Sequence, residues 1–254
     1  MILDELTWPE VEALDRVRVL PVCVLAATEQ HSLHLPLATD RLIGSEIVER
    51  AERRLPETLL LLPPLAVGCS AHHLGFAGSL SIRHTTMLAA IEDLARSIHR
   101  HGFRKLLLIN SHGGNHAAMV VAIQQLLETL PDLNVAGASY WSLAAQALTE
   151  LRESALGGMG HACELETSIL LRIRPDLVRM ERAEQDGAFS PSRFFGHEML
   201  KAAPVATARP FREFTRHGGY GDPTVATAEK GERFLEAIVD AVVALSLEFT
   251  GHSD

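Results

Sequence analysis

A chain of 254 residues, 47% hydrophobic and 22% charged, is long enough to bury a substantial core and falls within the range of one large domain. Its formal net charge of −9 and pI near 5.8 argue against nucleic acid or an anionic membrane as partner, since both recruit clustered Lys and Arg, and point to a small molecule instead. The N-terminus lacks a basic region before an apolar run, and no window reaches the roughly 18 apolar residues that span a bilayer. The expectation is a cytoplasmic protein with residues 1–254 as a single domain.

Residues 17–27 form a nearly continuous apolar run, as in a strand buried on both faces, although Pro21 argues against a central position for that part of it. The run ends at Thr28-Glu29-Gln30-His31. After Thr39-Asp40, which can supply a helix N-cap, Leu42, Ile43, Ile47, Val48 and Ala51 recur at helical spacing up to Arg54. Residues 59–62 read as a short strand stopped by Pro63-Pro64. Residues 67–78 are too rich in glycine for an element interior and too apolar for a solvated loop, which suits a pocket lining.

Residues 85–101 predict an amphipathic helix with Met87, Leu88, Ile91, Leu94 and Ile98 on one face, closed by Gly102. A strand over 105–109 runs into Asn110-Ser111-His112-Gly113-Gly114-Asn115, and helical periodicity resumes over 117–130. A strand over 134–140 and a helix over 164–173, ended by Arg174-Pro175, follow. Residues 182–219 lose periodicity and read as an excursion packed on the core or on a neighbouring subunit. A last helix over 227–248 has Phe234, Ile238, Val242 and Leu245 in register. Strands alternating with helices imply βαβ units and a mostly parallel sheet, in which ligands collect at the carboxyl ends of the strands.

Two histidine motifs begin at such ends. Glu29 and His31, two apart on extended backbone, point to one side, and Asp40 returns a further carboxylate; divalent ions take this mixture of imidazole and carboxylate, and one Asp can bridge two of them. The alternative is an N-capping Asp40 and a hydrogen-bonded core His31. His112, between a strand and a helix and followed by two glycines, reads as a metal ligand; its rival, a phosphate-cradling loop, lacks the P-loop lysine and GxGxxG. In Gly160-His161-Ala162-Cys163-Glu164-Leu165-Glu166, His161 can shuttle protons and one glutamate can be a ligand. The other glutamate, Glu164, is expected as a solvated helix-start charge. Cys23, Cys69 and Cys163, widely spaced and without a CxxC pair, are expected to be buried reduced thiols.

Thr28-Glu29-Gln30-His31 with Thr39-Asp40, then Gly75-Phe76-Ala77-Gly78-Ser79, Asn110-Ser111-His112-Gly113-Gly114-Asn115, and His161 with Glu166-Thr167-Ser168, together resemble the creatininase (creatinine amidohydrolase) family over nearly the whole chain. The resemblance implies a three-layer α/β/α sandwich around a mostly parallel sheet, assembled as a homohexamer. It also implies a binuclear site, zinc first and manganese or iron(II) as alternatives, that hydrolyses an amide C–N bond with a water held between the ions. Glu29, Asp40 and His112 would hold one ion and His31 and Asp40 the other, with His161 handling protons. Where creatininases proper carry a glutamate two residues after the equivalent of His112, this chain has Gly114, and Glu166 would supply the missing carboxylate. Ser32-Leu33 replaces the family's Gly-Pro and would alter the pocket wall.

A small cyclic amide or formamide is the expected substrate class, with a modified peptide or a non-catalytic metal- or ligand-binding oligomer as alternatives. A two-metal phosphoesterase is disfavoured because the motifs contain no Arg or Lys to hold a phosphoryl group. Trp141 resembles a substrate-covering tryptophan, with a core position as its alternative. His72, Gly113 and Gly114 are expected to contact substrate, and His73 and His116 to line the pocket.

Overall fold

A short helix α1 (Trp8–Glu12) leads into β1 (Leu20–Leu25), whose residues are all buried. Side chains alternate across a strand, so Leu20, Val22 and Val24 join one core cluster while Val19, Cys23 and Leu25 join another on the opposite face. Burial on both faces explains why the run is apolar at nearly every position. The computed structural model describes residues 1–187, 192–196, 198–201 and 203–251; the remaining parts of the excursion expected over 182–219 lie outside the described residues.

The chain continues through α2 (Thr39–Arg54), β2 (Leu59–Leu61), α3 (His84–Arg100), β3 (Lys105–Asn110), α4 (His116–Thr129) and β4 (Asn134–Ser139). Then come α5 (Tyr140–Leu143), α6 (Ala145–Leu151), α7 (Glu164–Ile173) and α8 (Ala228–Thr250). The four strands are parallel in the order β2-β1-β3-β4. Helices α2, α7 and α8 pack on one face through Ile43, Ile47, Ile169, Phe234 and Ile238, and α3 and α4 on the other through Met87, Ile91, Met119 and Leu126, which makes three α/β/α layers. Because β1 is followed by β2 on one side and flanked by β3 on the other, strand order reverses between β1 and β3. In open parallel sheets a crevice forms at the carboxyl ends of such strands. No helix among the described residues is long and apolar enough to cross a membrane.

Three local expectations are corrected. Pro21 lies in a strand with neighbours on both sides. The amide of Leu20 and the carbonyl of Val22 face β2, bonding Thr58 O and Leu62 N, so Pro21 faces β3. Pairing with β3 begins only at Val22, and the missing N–H removes no ladder bond there. Neither Thr39 nor Asp40 caps α2. Ala38 occupies the N-cap, the Thr39 hydroxyl donates to Pro36 O at 2.7 Å, and Asp40 stands in the first turn with its carboxylate free for other partners. Tyr140 opens α5 rather than ending β4. All three cysteines are free and buried as expected, and burial pushes the Cys23 and Cys163 thiols up to about 12.

Candidate metal centre

Five side chains from four places in the sequence meet at the β1/β3 end of the sheet. Glu29 and His31 follow β1, Asp40 opens α2, His112 follows β3 and Glu166 stands in the first turn of α7, each at most 3% exposed. The ring of His31 is oriented from behind, since Nδ1 donates to the carbonyl of Glu29 at 3.1 Å and leaves Nε2 facing Asp40 Oδ1 at 3.1 Å. On the other side of Asp40, His112 Nδ1 lies 3.3 Å from Oδ2 and 3.2 Å from Glu29 Oε1. Asp40 therefore stands between two imidazoles, one per carboxylate oxygen. Three groups can each hold an ion: Glu29 with His72 and His112, His31 with Asp40 and Glu166, and Glu29 with His31 and His161.

Divalent ions fit these residues. Both Glu29 oxygens and Asp40 Oδ2 are buried without a hydrogen-bond partner, although histidine nitrogens stand 3.2–3.3 Å away. Buried carboxylates lacking donors are costly unless a cation or a proton compensates them. Without ions, protons do so. Burial alone would lower His31, but Asp40, then Glu166 and Glu29, raise it to about 9, and Glu29 with Asp40 raises His112 well above its ordinary value. Burial works against charge on Glu29, yet His112 and His73 hold it well below the carboxylate range. Burial, together with Asp40 and against the pull of His31, lifts Glu166 to about 7.

Gly114 cannot carry a side chain here. A Cβ would meet Cys69 O at 2.2 Å and His112 Nε2 at 2.5 Å, so a carboxylate from this position is sterically excluded while Glu166 stands beside His31 and Asp40. Glu164 corrects an expectation: it is fully buried rather than solvated. It accepts from Lys230 Nζ at 2.8 Å and from the amides of Glu153 and Ser154, on the side of α7 away from Glu166. Two residues apart on a helix, the two glutamates face different ways, and only Glu166 joins the cluster.

His161 Nε2 donates to the carbonyl of Gln30 at 2.7 Å, which leaves Nδ1 unprotonated, 3.7 Å from Glu29 Oε1. Burial, with His31 and His73, holds its pKa well below the ordinary value. Gln30 was not singled out by the sequence, yet it organises this corner. Its carboxamide nitrogen donates to Gly218 O at 2.8 Å and to His73 Nδ1 at 2.7 Å, and its oxygen accepts from Ser32 N. His73 then turns Nε2 toward Glu29 Oε1 at 3.2 Å.

Glu29, Asp40, His112 and Glu166 floor a cavity of about 770 Å³ that His72, His73, Gly113, Gly114, Trp141 and His161 also line, with His31 buried behind them. Trp141 is half-buried, edge-on to Tyr140, so it belongs partly to the core and partly to the wall. The excursion supplies the facing wall through residues 205–211, and Phe211 packs on His72, His73 and His161. No local signal in the sequence marks Phe211. His116 is corrected, since it stands by Ser139 Oγ at 3.4 Å and not among the lining residues. Ser32 and Leu33 are also corrected: they border a separate small recess instead of the main wall. Ser32 adopts φ 57°, and its buried hydroxyl has no partner. Ser32→Gly is therefore expected to raise stability by about 1 kcal/mol in thermal or urea unfolding, by relieving a left-handed conformation that costs about 1–2 kcal/mol for an L-residue.

An α/β/α sheet with buried imidazoles and carboxylates at its switch point defines a metal-binding enzyme. The family described as creatinine amidohydrolase, creatininase, matches residues 4–246, and the chain belongs to this family of hydrolases. A mycofactocin precursor peptide peptidase of Mycobacterium ulcerans (strain Agy99) is 33% identical over 255 residues, covering 98% of this chain and 88% of the relative. A creatinine amidohydrolase of Pseudomonas putida is 29% identical over 268 residues, covering 98% and 97%. Among solved structures, a glutamate-to-glutamine creatininase variant complexed with creatine aligns with a TM-score of 0.81 at 30% identity over 98% of each chain. A Zn-Zn form and a Mn form of creatininase, each 30% identical over 97% of both chains, align at 0.79 and 0.80.

Proposed function

We propose that this protein is a binuclear metal-dependent amidohydrolase that cleaves an amide C–N bond, with Glu29, Asp40 and His112 holding one ion and His31, Asp40 and Glu166 the other. The observation that carries this reading is the convergence of five buried donors around carboxylate oxygens that lack hydrogen-bond partners. When bound, the ions supply positive charge that polarises the amide carbonyl and lowers the pKa of water from about 15.7 toward 7. His161 serves as the proton carrier. Its neutral ring, fixed through Nε2 by Gln30, offers the Nδ1 lone pair to the attacking water's proton and returns it to the leaving nitrogen. Trp141, Gly113 and Gly114 contact the substrate around this centre, and His72 stands in the same wall beside His112. Zinc is the first candidate ion, with manganese or iron(II) next, and the chain works as one catalytic domain in a cytoplasmic homohexamer.

A small cyclic amide or a formamide is the first substrate class. A modified peptide is the second, favoured by the cavity of about 770 Å³. That volume lies in the upper part of the roughly 300–1,000 Å³ typical of ligand sites and exceeds what a single small ring fills. The relative named as a mycofactocin precursor peptide peptidase agrees with it.

Metal analysis of purified protein, with hydrolysis measured on creatinine, formamides and peptide amides, tests the proposal. About two ions per subunit and turnover of one class are expected. Protein that gains neither ions nor activity when given zinc or manganese would refute it. His161→Ala is expected to lower kcat by about 10²–10⁴-fold with ion content unchanged, in keeping with loss of one acid–base group. Loss of an ion instead would make His161 a ligand.

A further inference from the structure

Glu29, His72 and His112 each offer a ligand atom, all within 4.8 Å of one another, close enough for one ion to collect all three. His72 comes from the short helical turn Ala71–His73, in the glycine-rich segment that follows β2, and not from any of the elements that carry the other donors. Two further observations bear on its placement. Its ring lies parallel to that of His112, with centroids 5.6 Å apart and planes 4° from each other, and Phe211 packs against it at 5.5 Å. The approach also depends on glycine at 114, where a Cβ would come within 2.9 Å of His72 Cε1. The bare glycine that excludes a carboxylate from this position thus opens the space in which a second imidazole stands beside His112.

We propose that His72 is a fourth protein ligand of the ion held by Glu29, Asp40 and His112, an inference that rests on the binuclear reading above. The two ions are then unequal. Four protein donors would hold the first ion against three, His31, Asp40 and Glu166, for the second, which keeps more of the open positions that catalytic sites use. The first ion is then held more tightly and the second exchanges more readily.

The test compares zinc-loaded wild type with His72→Gln and His72→Ala by metal analysis after dialysis against graded chelator, and by the visible absorption of the cobalt-substituted proteins. Wild type is expected to release one ion readily and keep the other. In both variants the retained ion should bind at least about 100-fold more weakly, given that loss even of groups behind the ligands costs about 10–100-fold. The absorption of one cobalt equivalent should change while the other stays the same. Variants that keep wild-type zinc retention and cobalt spectra would overturn the assignment of His72 and leave the binuclear reading standing. Wild type that takes up no zinc or cobalt would overturn both. The glutamine variant keeps the size of the side chain, and cobalt spectra of the folded wild type report the donor set without any substitution.

Discussion

Asp40→Asn is expected to empty both ion positions and to lower amide hydrolysis by about 10³-fold or more, roughly 4 kcal/mol of transition-state stabilisation. The reason is its place between the two imidazoles, with Oδ1 3.1 Å from His31 Nε2 and Oδ2 3.3 Å from His112 Nδ1. An asparagine keeps the shape but offers a single neutral acceptor where two ions would share a carboxylate. Glu29 and Glu166 each serve one side, so loss of either should remove one ion and leave a partly loaded protein. Metal content per subunit, measured beside activity in the same preparations, separates these cases. Asp40→Asn protein that retains two ions would remove Asp40 from the bridging role.

Glu164→Ala is expected to be strongly destabilising, at about 3–5 kcal/mol, because it leaves the buried Lys230 ammonium with only the exposed Glu153 carboxylate, 3.2 Å away, as counter-charge. Glu164 is fully buried and Lys230 nearly so; they meet at 2.8 Å, and the ammonium also donates to the carbonyl of Val225. The pair ties the start of α7 to the first turn of α8, where Thr227 caps the helix by accepting from Lys230 N. For a domain of this size the loss corresponds to roughly 6–20 °C in Tm. Burial raises the Glu164 carboxyl, but Lys230, the Ser154 side chain and the amides of Glu153 and Ser154 hold it below its ordinary value. Its contribution is therefore present above the unfolded carboxylate pKa of about 4.3 and is lost as pH falls through the lower folded value. Thermal unfolding of ion-free protein near neutral pH and in mild acid checks both parts. A Tm unchanged by Glu164→Ala would mean that the pair contributes nothing net, as for some buried ion pairs replaceable without loss.

The elements were legible because their signals are local. Continuous apolarity marks β1 and β3, and helical spacing marks α2, α3 and α8; α7 spans Glu164–Ile173, the range that Arg174-Pro175 closes in the sequence. The motifs around Glu29, His31, Asp40 and His112 were legible too, since a carboxylate or imidazole just past an apolar strand has little reason to be there except chemistry. Where local rules failed, long-range partners had overridden them. Pro21 is tolerated in an inner strand because pairing on its β3 side starts one residue later. Glu164 is buried because Lys230, sixty-six residues away, supplies its counter-charge.

By itself, then, the sequence determined the parallel α/β architecture, the family and a set of candidate ligands, all properties of residues within a few positions of one another. Only the tertiary structure decided which of those residues share an ion-sized space. It brought Glu166 to His31 and Asp40, set His72 beside His112 across the bare Gly114, and fixed the ring of His161 through Gln30. It also folded Phe211 over the histidines from a segment with no periodicity of its own. Proximity between residues far apart in the chain depends on how the layers pack, and no spacing along a sequence encodes it.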